Sequence, residues 1–225
     1  MLSSDLLDEL KGFSTPSILN GLKRLGHAPE RMETMDRLAI RCMSPQLGVR
    51  VGFAATRKVA TRRSGGPSQP GSGGLDGGLL SVSAPRILVA ENVGDWRGPV
   101  CIWGELAANM NLAMGCQAGI TNGPVRDLPE MEALGFATFA GGTGPGGGYV
   151  DTLEVGGPVV VGGVTVNPGD LIHADLHGVV KVPQDLAPRL PEAIRTHEAY
   201  ERRIIAVCQS QDFSLEALSA AMKAG

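Results

Sequence analysis

Gly104-Glu105-Leu106-Ala107-Ala108, then Gly115-Cys116-Gln117-Ala118-Gly119-Ile120-Thr121-Asn122-Gly123-Pro124-Val125-Arg126-Asp127, is the stretch around which the chain is organised. Leu106 to Met114 are good helix formers, and Gly115 closes them. Ala118 to Thr121 is short and apolar, the pattern of a buried strand. Asn122-Gly123-Pro124 predicts a turn, with Arg126-Asp127 directly after it. Val100-Cys101-Ile102-Trp103 reads as a short strand delivering the chain to Gly104. A strand, a glycine and a helix start in succession are common in α/β ligand sites.

The residue types around the two ends of this stretch suit an anion and a hard cation. The first turn of a helix carries free N–H groups and the positive end of the helix dipole. Gly104 lets a ligand approach the backbone closely. Arg126 has a planar fork for a carboxylate. Asp127 and Glu105 are oxygen ligands of the kind Mg²⁺ takes. The same residues also suit a plain surface turn, with Arg126 and Asp127 as solvated charges and Glu105 placed to favour the dipole. Spacing alone leaves both readings open.

Working outward, the N-terminal side predicts two helices. Ser4 is a candidate cap for Asp5 to Lys11. Thr15-Pro16 is a sharper start signal, with Ile18, Leu19, Leu22 and Leu25 on one face and Gly26 at the end. Val49 to Ala60 alternates as a strand. Residues 64 to 78 are rich in Ser, Gly and Pro and predict a flexible loop inside one domain, with a flap over a site as the functional alternative. Arg86 to Ala90 is a buried strand, and Glu91 to Gly98 a polar turn.

On the C-terminal side, Leu128 to Leu134 is a short helix and Ala137 to Ala140 a strand. Gly141 to Gly148 is nearly all glycine, a backbone able to wrap a ligand or a neighbouring subunit. Short strands follow at Val159 to Val161, Val164 to Val166, Leu171 to His173 and Val179 to Val182, with Asn167-Pro168-Gly169-Asp170 as a turn. Helices are expected at Pro191 to Cys208 and Ser214 to Met222. No internal repeat is present.

Composition narrows the function classes. A length of 225 residues with 43% hydrophobic residues supports one substantial core. A net charge of −3 argues against a nucleic-acid surface, although Arg57-Lys58 and Arg62-Arg63 cluster locally. The four cysteines, Cys42, Cys101, Cys116 and Cys208, have no C-x-x-C spacing and read as thiols of a reducing compartment. Met1-Leu2-Ser3-Ser4-Asp5 lacks a basic region followed by an apolar run. No apolar run approaches the roughly 18 residues of a membrane helix. The expectation is a cytoplasmic protein with neither nucleic-acid nor membrane partners.

Several chemistries find no support. The chain has no G-x-G-x-x-G, no phosphate-binding G-x-x-x-x-G-K-[ST] and no G-x-S-x-G. No cysteine has an evident base beside it. Lys181 alternates with apolar residues and has no surroundings that favour a Schiff base. His173, Asp175 and His177 fall at i, i+2, i+4. In a straight strand they would share one face and suit a transition metal. Gly178 points instead to a polar hairpin end in which Asp175 bonds its own turn.

The Gly-Glu-Leu helix start, the Asn-Gly-Pro-Val-Arg-Asp segment, Pro168-Gly169-Asp170 and His177-Gly178-Val179-Val180 together resemble the RraA-like family. That family includes 4-hydroxy-4-methyl-2-oxoglutarate aldolases, oxaloacetate decarboxylases and regulators of ribonuclease E activity. Some of its members are labelled dimethylmenaquinone methyltransferase by name only. The resemblance covers roughly residues 15 to 185.

It implies an α/β fold, a single domain over 1–225 with a swivelling β/β/α core like that of phosphohistidine domains and flanking N- and C-terminal helices, the last at about 189–223. It also implies a homotrimer or homohexamer. The activity it implies is a class II, metal-dependent carbon–carbon lyase acting on a small 2-oxo dicarboxylic acid with Mg²⁺ or Mn²⁺. In that reading Arg126 and Glu105 are catalytic and Asp127 binds the metal. Gly104, Glu105, Leu106, Ala107 and Arg126 bind substrate. The family commonly has Asp at the position of Glu105, and its aldolases draw a further acid from a neighbouring subunit near the C-terminus. The alternative within the family is a non-catalytic regulator of ribonuclease E or another protein.

Overall fold

The computed structural model describes residues 2–65, 78–95 and 98–223. Most of the expected loop at 64–78, and its reading as a flap, lies outside the described residues.

Two capped helices open the chain. In α1 (Ser4–Leu10), Ser3 rather than Ser4 is the cap, its Oγ accepting the Leu6 N–H at 3.2 Å. In α2 (Thr15–Arg24), Ser14 Oγ accepts the Ser17 N–H at 3.2 Å, and Pro16 occupies the first turn. Ile18 and Leu22 are fully buried on one face. Gly21 lets α2 approach α5 (Leu190–Cys208), because a Cβ there would lie 2.6 Å from Ile194 Cγ1.

The strands are β1 (Glu33–Thr34), β2 (Arg41–Cys42), β3 (Arg50–Arg62), β4 (Arg86–Asn92), β5 (Cys116–Val125), β6 (Ala137–Thr143), β7 (Tyr149–Val155), β8 (Val159–Val161), β9 (Val164–Val166), β10 (Leu171–Asp175) and β11 (Gly178–Val182). Nine form one mixed sheet in the order β1-β11-β10-β3-β4-β5-β6-β2, with β7 also pairing the far end of β3. The pairs from β3 through β6 are parallel, and the rest are antiparallel. Parallel neighbours need crossovers. Here these are α3 (Glu105–Ala113), between β4 and β5, and α4 (Leu128–Ala133), between β5 and β6.

Strand alternation divides the core between two faces. Leu88 and Ala90 of β4 pack with Leu10, Ile18 and Leu22 on the helical side. Ile87 and Val89 pack with Val159, Val161, Val164 and Val166 of the separate β8–β9 hairpin. The result is the expected β/β/α layering: hairpin, central sheet, helices. The C-terminal helices are α5 and α6 (Leu215–Lys223). In α5 only Leu190, Pro191, Ala193 and Ile194 are buried, and α6 has no buried residue. Among the described residues, no helix is long and apolar enough to cross a membrane.

Three local expectations are corrected. Asn122-Gly123-Pro124 is not a turn but the interior of β5, at a register shift between Thr121 and Pro124. The Asn122 amide takes the place of a backbone partner, accepting the Asn92 N–H at 2.7 Å and donating to Asn92 O at 3.0 Å. Turn-forming residues here make a bulge rather than a reversal. Val100 to Trp103 is an irregular segment and not a strand. Its Ile102 N–H donates to Pro124 O at 2.9 Å, and Trp103 O accepts the Arg126 N–H at 3.2 Å, too few bonds for a ladder. Finally, β7 occupies 149–155, where no strand was expected.

Candidate functional site

The end of β5 and the start of α3 meet at the carboxyl ends of the parallel strands, where α/β folds tend to bind ligands. Asp127 has φ 54° and ψ 43° and is the one non-glycine with positive φ among the described residues. Asp tolerates this left-handed conformation better than most residues, at a modest cost. The conformation has a geometric effect. Successive strand residues point to opposite faces, yet Arg126 and Asp127 line the same cavity.

Asp127 then caps a helix other than its own. Its Oδ2 accepts the Glu105 N–H at 3.0 Å, at the start of α3, and lies 3.4 Å from Arg126 Nε. In α4, whose N-terminus it precedes, its side chain makes no capping bond. Gly104 is required by this close approach. A Cβ there would overlap Asp127 Oδ2 and lie 2.9 Å from Arg126 Cγ. Gly146, φ 83°, plays the same part on the other side, where a Cβ would overlap Arg126 Nη1. The glycine-rich segment therefore wraps a protein side chain, the Arg126 guanidinium.

The cavity holds about 470 Å³ and is lined by Gly104 to Ala107, Arg126, Asp127 and Gly146 to Gly148, among others. All five residues predicted around the substrate thus stand together with Asp127. Leu106 and Ala107 sit in the first turn, where backbone N–H groups have no acceptor within the helix. The Glu105 side chain is exposed and without a hydrogen-bond partner among the described residues. Arg126 and Asp127 side chains are 49% and 36% exposed, so both are accessible to a ligand. Cys101 also lines the cavity, but burial pushes its thiol pKa up, and the sulfur lies 3.2 Å from Gly144 O. A thiol so placed is a packing group and not a nucleophile.

The second candidate cluster is structural. His173 is fully buried, with Nδ1 3.0 Å from Thr15 Oγ1 and Nε2 within 3.2 Å of Leu10 O and Phe13 O. Asp175 accepts the Thr15 N–H and the His177 N–H, each at 2.8 Å. The hairpin-end reading holds, and the metal reading fails because each atom is already engaged in tying α2 to β10. No group of three or more metal-ligating side chains occurs among the described residues. Lys181 is paired with Glu33 at 2.7 Å and Asp170 at 3.6 Å, away from the cavity.

The residues that sequence reasoning missed are Gly146, whose contact with Arg126 no spacing reveals, and the pair Trp103 and Asn111. The only advance signal for the last two was polarity in an otherwise apolar environment.

Comparison with known proteins adds the following. The RraA-like family model, described as Aldolase/RraA, matches residues 5–181, which leaves α5 and α6 outside the match. An uncharacterized protein of Methanocaldococcus jannaschii is 32% identical over 126 residues, covering 56% of this chain and 61% of that protein. A protein of Halalkalibacterium halodurans that carries the provisional name 4-hydroxy-4-methyl-2-oxoglutarate aldolase is 28% identical over 107 residues, covering 47% of this chain and 50% of its own length. The chain therefore spans less than two thirds of these relatives. The crystal structure of Streptomyces coelicolor RraAS2, described as an unusual member of the RNase ES inhibitor RraA protein family, superposes with a TM-score of 0.70 at 23% identity, over 90% of this chain and 97% of that one. At that identity the likeness is one of fold.

Proposed function

The chain belongs to the RraA-like family, and from that premise we propose that it is a divalent-metal-dependent lyase. It cleaves a C–C bond of a 2-oxo dicarboxylic acid, as a 4-hydroxy-4-methyl-2-oxoglutarate aldolase, an oxaloacetate decarboxylase or both. The observation that carries this reading is the convergence of Arg126, Asp127 and the free α3 amides on one cavity, with Glu105 unpaired at its mouth.

The donor set fits Mg²⁺ or Mn²⁺. Such ions take one or two carboxylates and fill their remaining positions with water and substrate. Asp127, with one oxygen engaged by the Glu105 N–H, keeps the other for a cation, and the Glu105 carboxylate is nearby. When bound, the ion would supply Lewis acidity at the 2-oxo group.

The chain's own residues do the rest. The amides of Leu106 and Ala107 hold the substrate carboxylate next to the 2-oxo group. Arg126 grips the same end and stabilises negative charge that develops on the 2-oxo oxygen. In aldol cleavage, Glu105 takes the proton of the C4 hydroxyl as the C3–C4 bond breaks. The electron pair passes into pyruvate enolate, and the other fragment leaves as a second pyruvate. In decarboxylation of oxaloacetate the C3–C4 bond breaks with loss of CO₂, and the same enolate results. Protonation at C3 then releases pyruvate.

We further propose a homotrimer or homohexamer, with α5 and α6 available for subunit contacts. The test of function is pyruvate release from oxaloacetate and from 4-hydroxy-4-methyl-2-oxoglutarate, each with Mg²⁺ or Mn²⁺ and with EDTA. Activity is expected with either ion and lost on chelation. Turnover that survives exhaustive chelation refutes the metal mechanism. No pyruvate from either acid favours the regulatory role known in this family.

A further inference from the structure

Behind the cavity just described lies a second, smaller one of about 100 Å³. The two share Ile102, Trp103, Ala107, Met110 and Val150 as common walls, so the inner compartment opens off the outer. Its volume suits a group of about three or four heavy atoms. Most of its lining is apolar, yet two polar side chains stand in it without partners. Asn111 is 6% exposed, and its carboxamide has no hydrogen bond among the described residues. Trp103 is 5% exposed, and its indole Nε1 is buried without a partner. Arg57, on β3, lines the same compartment.

A buried polar group without a partner is destabilising unless a ligand or water completes it. Two such groups in one small compartment, opening onto a candidate substrate cavity, mark a place where a ligand group belongs. The donor inventory says what kind. An indole N–H and a guanidinium only donate, and a carboxamide offers two donors against one acceptor. A compartment with this excess of donors suits a carboxylate.

We infer that this inner compartment receives the distal carboxylate of the substrate, with Asn111 and Trp103 Nε1 as specificity-determining donors. The inference rests on the proposed function, since it assumes that the 2-oxo end is held at Arg126 and α3. It adds to that reading a selection for dicarboxylic over monocarboxylic 2-oxo acids, made by residues outside the Arg126–Asp127 pair. Asn111 and Trp103 touch the substrate far from the bond that breaks. They therefore discriminate between acids without taking part in proton transfer.

The test compares two ligands of equal length that the enzyme cannot cleave, 2-oxoglutarate and 2-oxopentanoate, which differ only in the distal carboxylate. With Mg²⁺ present, the wild type is expected to bind 2-oxoglutarate about tenfold or more tighter. Asn111→Leu is expected to reduce that preference to within about threefold and to leave 2-oxopentanoate binding unchanged. Without ligand, the same variant should melt about 2–4 °C higher, since it removes an unsatisfied buried amide, and this shows that it folds. The indole ¹H–¹⁵N resonance of Trp103, assigned with Trp103→Phe, should move with 2-oxoglutarate and stay in place with 2-oxopentanoate. Equal affinity of the wild type for the two acids, or a preference that survives Asn111→Leu, overturns the subsite and leaves the lyase reading standing. If neither acid binds the wild type, the lyase reading itself falls, and the subsite falls with it.

Discussion

Gly104→Ala is the most economical test of the site's construction, because it adds one methyl group and changes no charge. Gly104 has φ −148° and ψ −155°, an extended conformation open to alanine, so backbone strain does not contribute. Contact does. The new Cβ would overlap Asp127 Oδ2 and lie 3.0 Å from Asp127 Cγ and 2.9 Å from Arg126 Cγ. The carboxylate must swing away from the Glu105 N–H and move Arg126 with it. A hydrogen bond to a charged group contributes about 1.5–3 kcal/mol, here discounted to about 1–2 kcal/mol because both side chains face solvent. For a chain of this size that lowers Tm by about 2–8 °C. Displacing a catalytic group by about 1 Å costs on the order of 10² in rate, or about 2.7 kcal/mol. Gly142→Ala is the control: it also lies in an extended segment, and a Cβ there meets nothing within 4 Å. The assays are kcat/KM for pyruvate release and thermal melting of both variants. Wild-type turnover and Tm in Gly104→Ala, or equal damage in Gly142→Ala, would refute the reasoning.

Arg126→Lys keeps the charge and loses the fork, and is expected to lower kcat by about 10²–10³ with Tm nearly unchanged; near wild-type turnover with both oxo-acids would remove Arg126 from the mechanism. Stability should also fall as pH drops below the ordinary histidine value of 6.5, because burial depresses the pKa of His173 in the folded state while the unfolded chain takes up the proton. At one pH unit lower the loss reaches at most about 1.4 kcal/mol, and His173→Asn should flatten the dependence of Tm on pH. Asp175 does not add to this loss: burial works to raise its pKa, but the Thr15 and His177 hydrogen bonds hold it below 3.8, so its contribution persists until pH falls further. Light scattering should give a mass three or six times 23.4 kDa, and a monomer mass at micromolar concentration would refute the assembly.

Much of the site was legible because it is local. Arg126, Asp127 and the α3 start lie within a short span, and their residue types already suggested an anion and a cation. The family resemblance supplied roles that spacing left open. What stayed hidden depends on distant chain. Asn122-Gly123-Pro124 has turn chemistry, and only the bonds from Asn122 to Asn92 on β4 keep it in a strand. The spacing of His173, Asp175 and His177 suggested a shared strand face, but β10 ends at Asp175, and Thr15 from α2 engages both His173 and Asp175. The compartment at Asn111 closes only when β3 and β7, at Arg57 and Thr152, come against α3. No reading of α3 by itself indicates that Asn111 would be enclosed.

The far half of α5 and all of α6 have a consequence for how the molecule opens. Beyond Ile194 no side chain is buried, and Ile205, Leu215 and Met222 are 49%, 72% and 55% exposed. Amide protection depends on the free energy needed to expose each hydrogen bond, and a helix pair with no buried side chain has little to lose by fraying. In dilute protein, the amides from about residue 199 onward should exchange with solvent deuterium orders of magnitude faster than those of β4 and β5. If these helices meet another subunit, protection there should rise with protein concentration while that of the central strands stays constant.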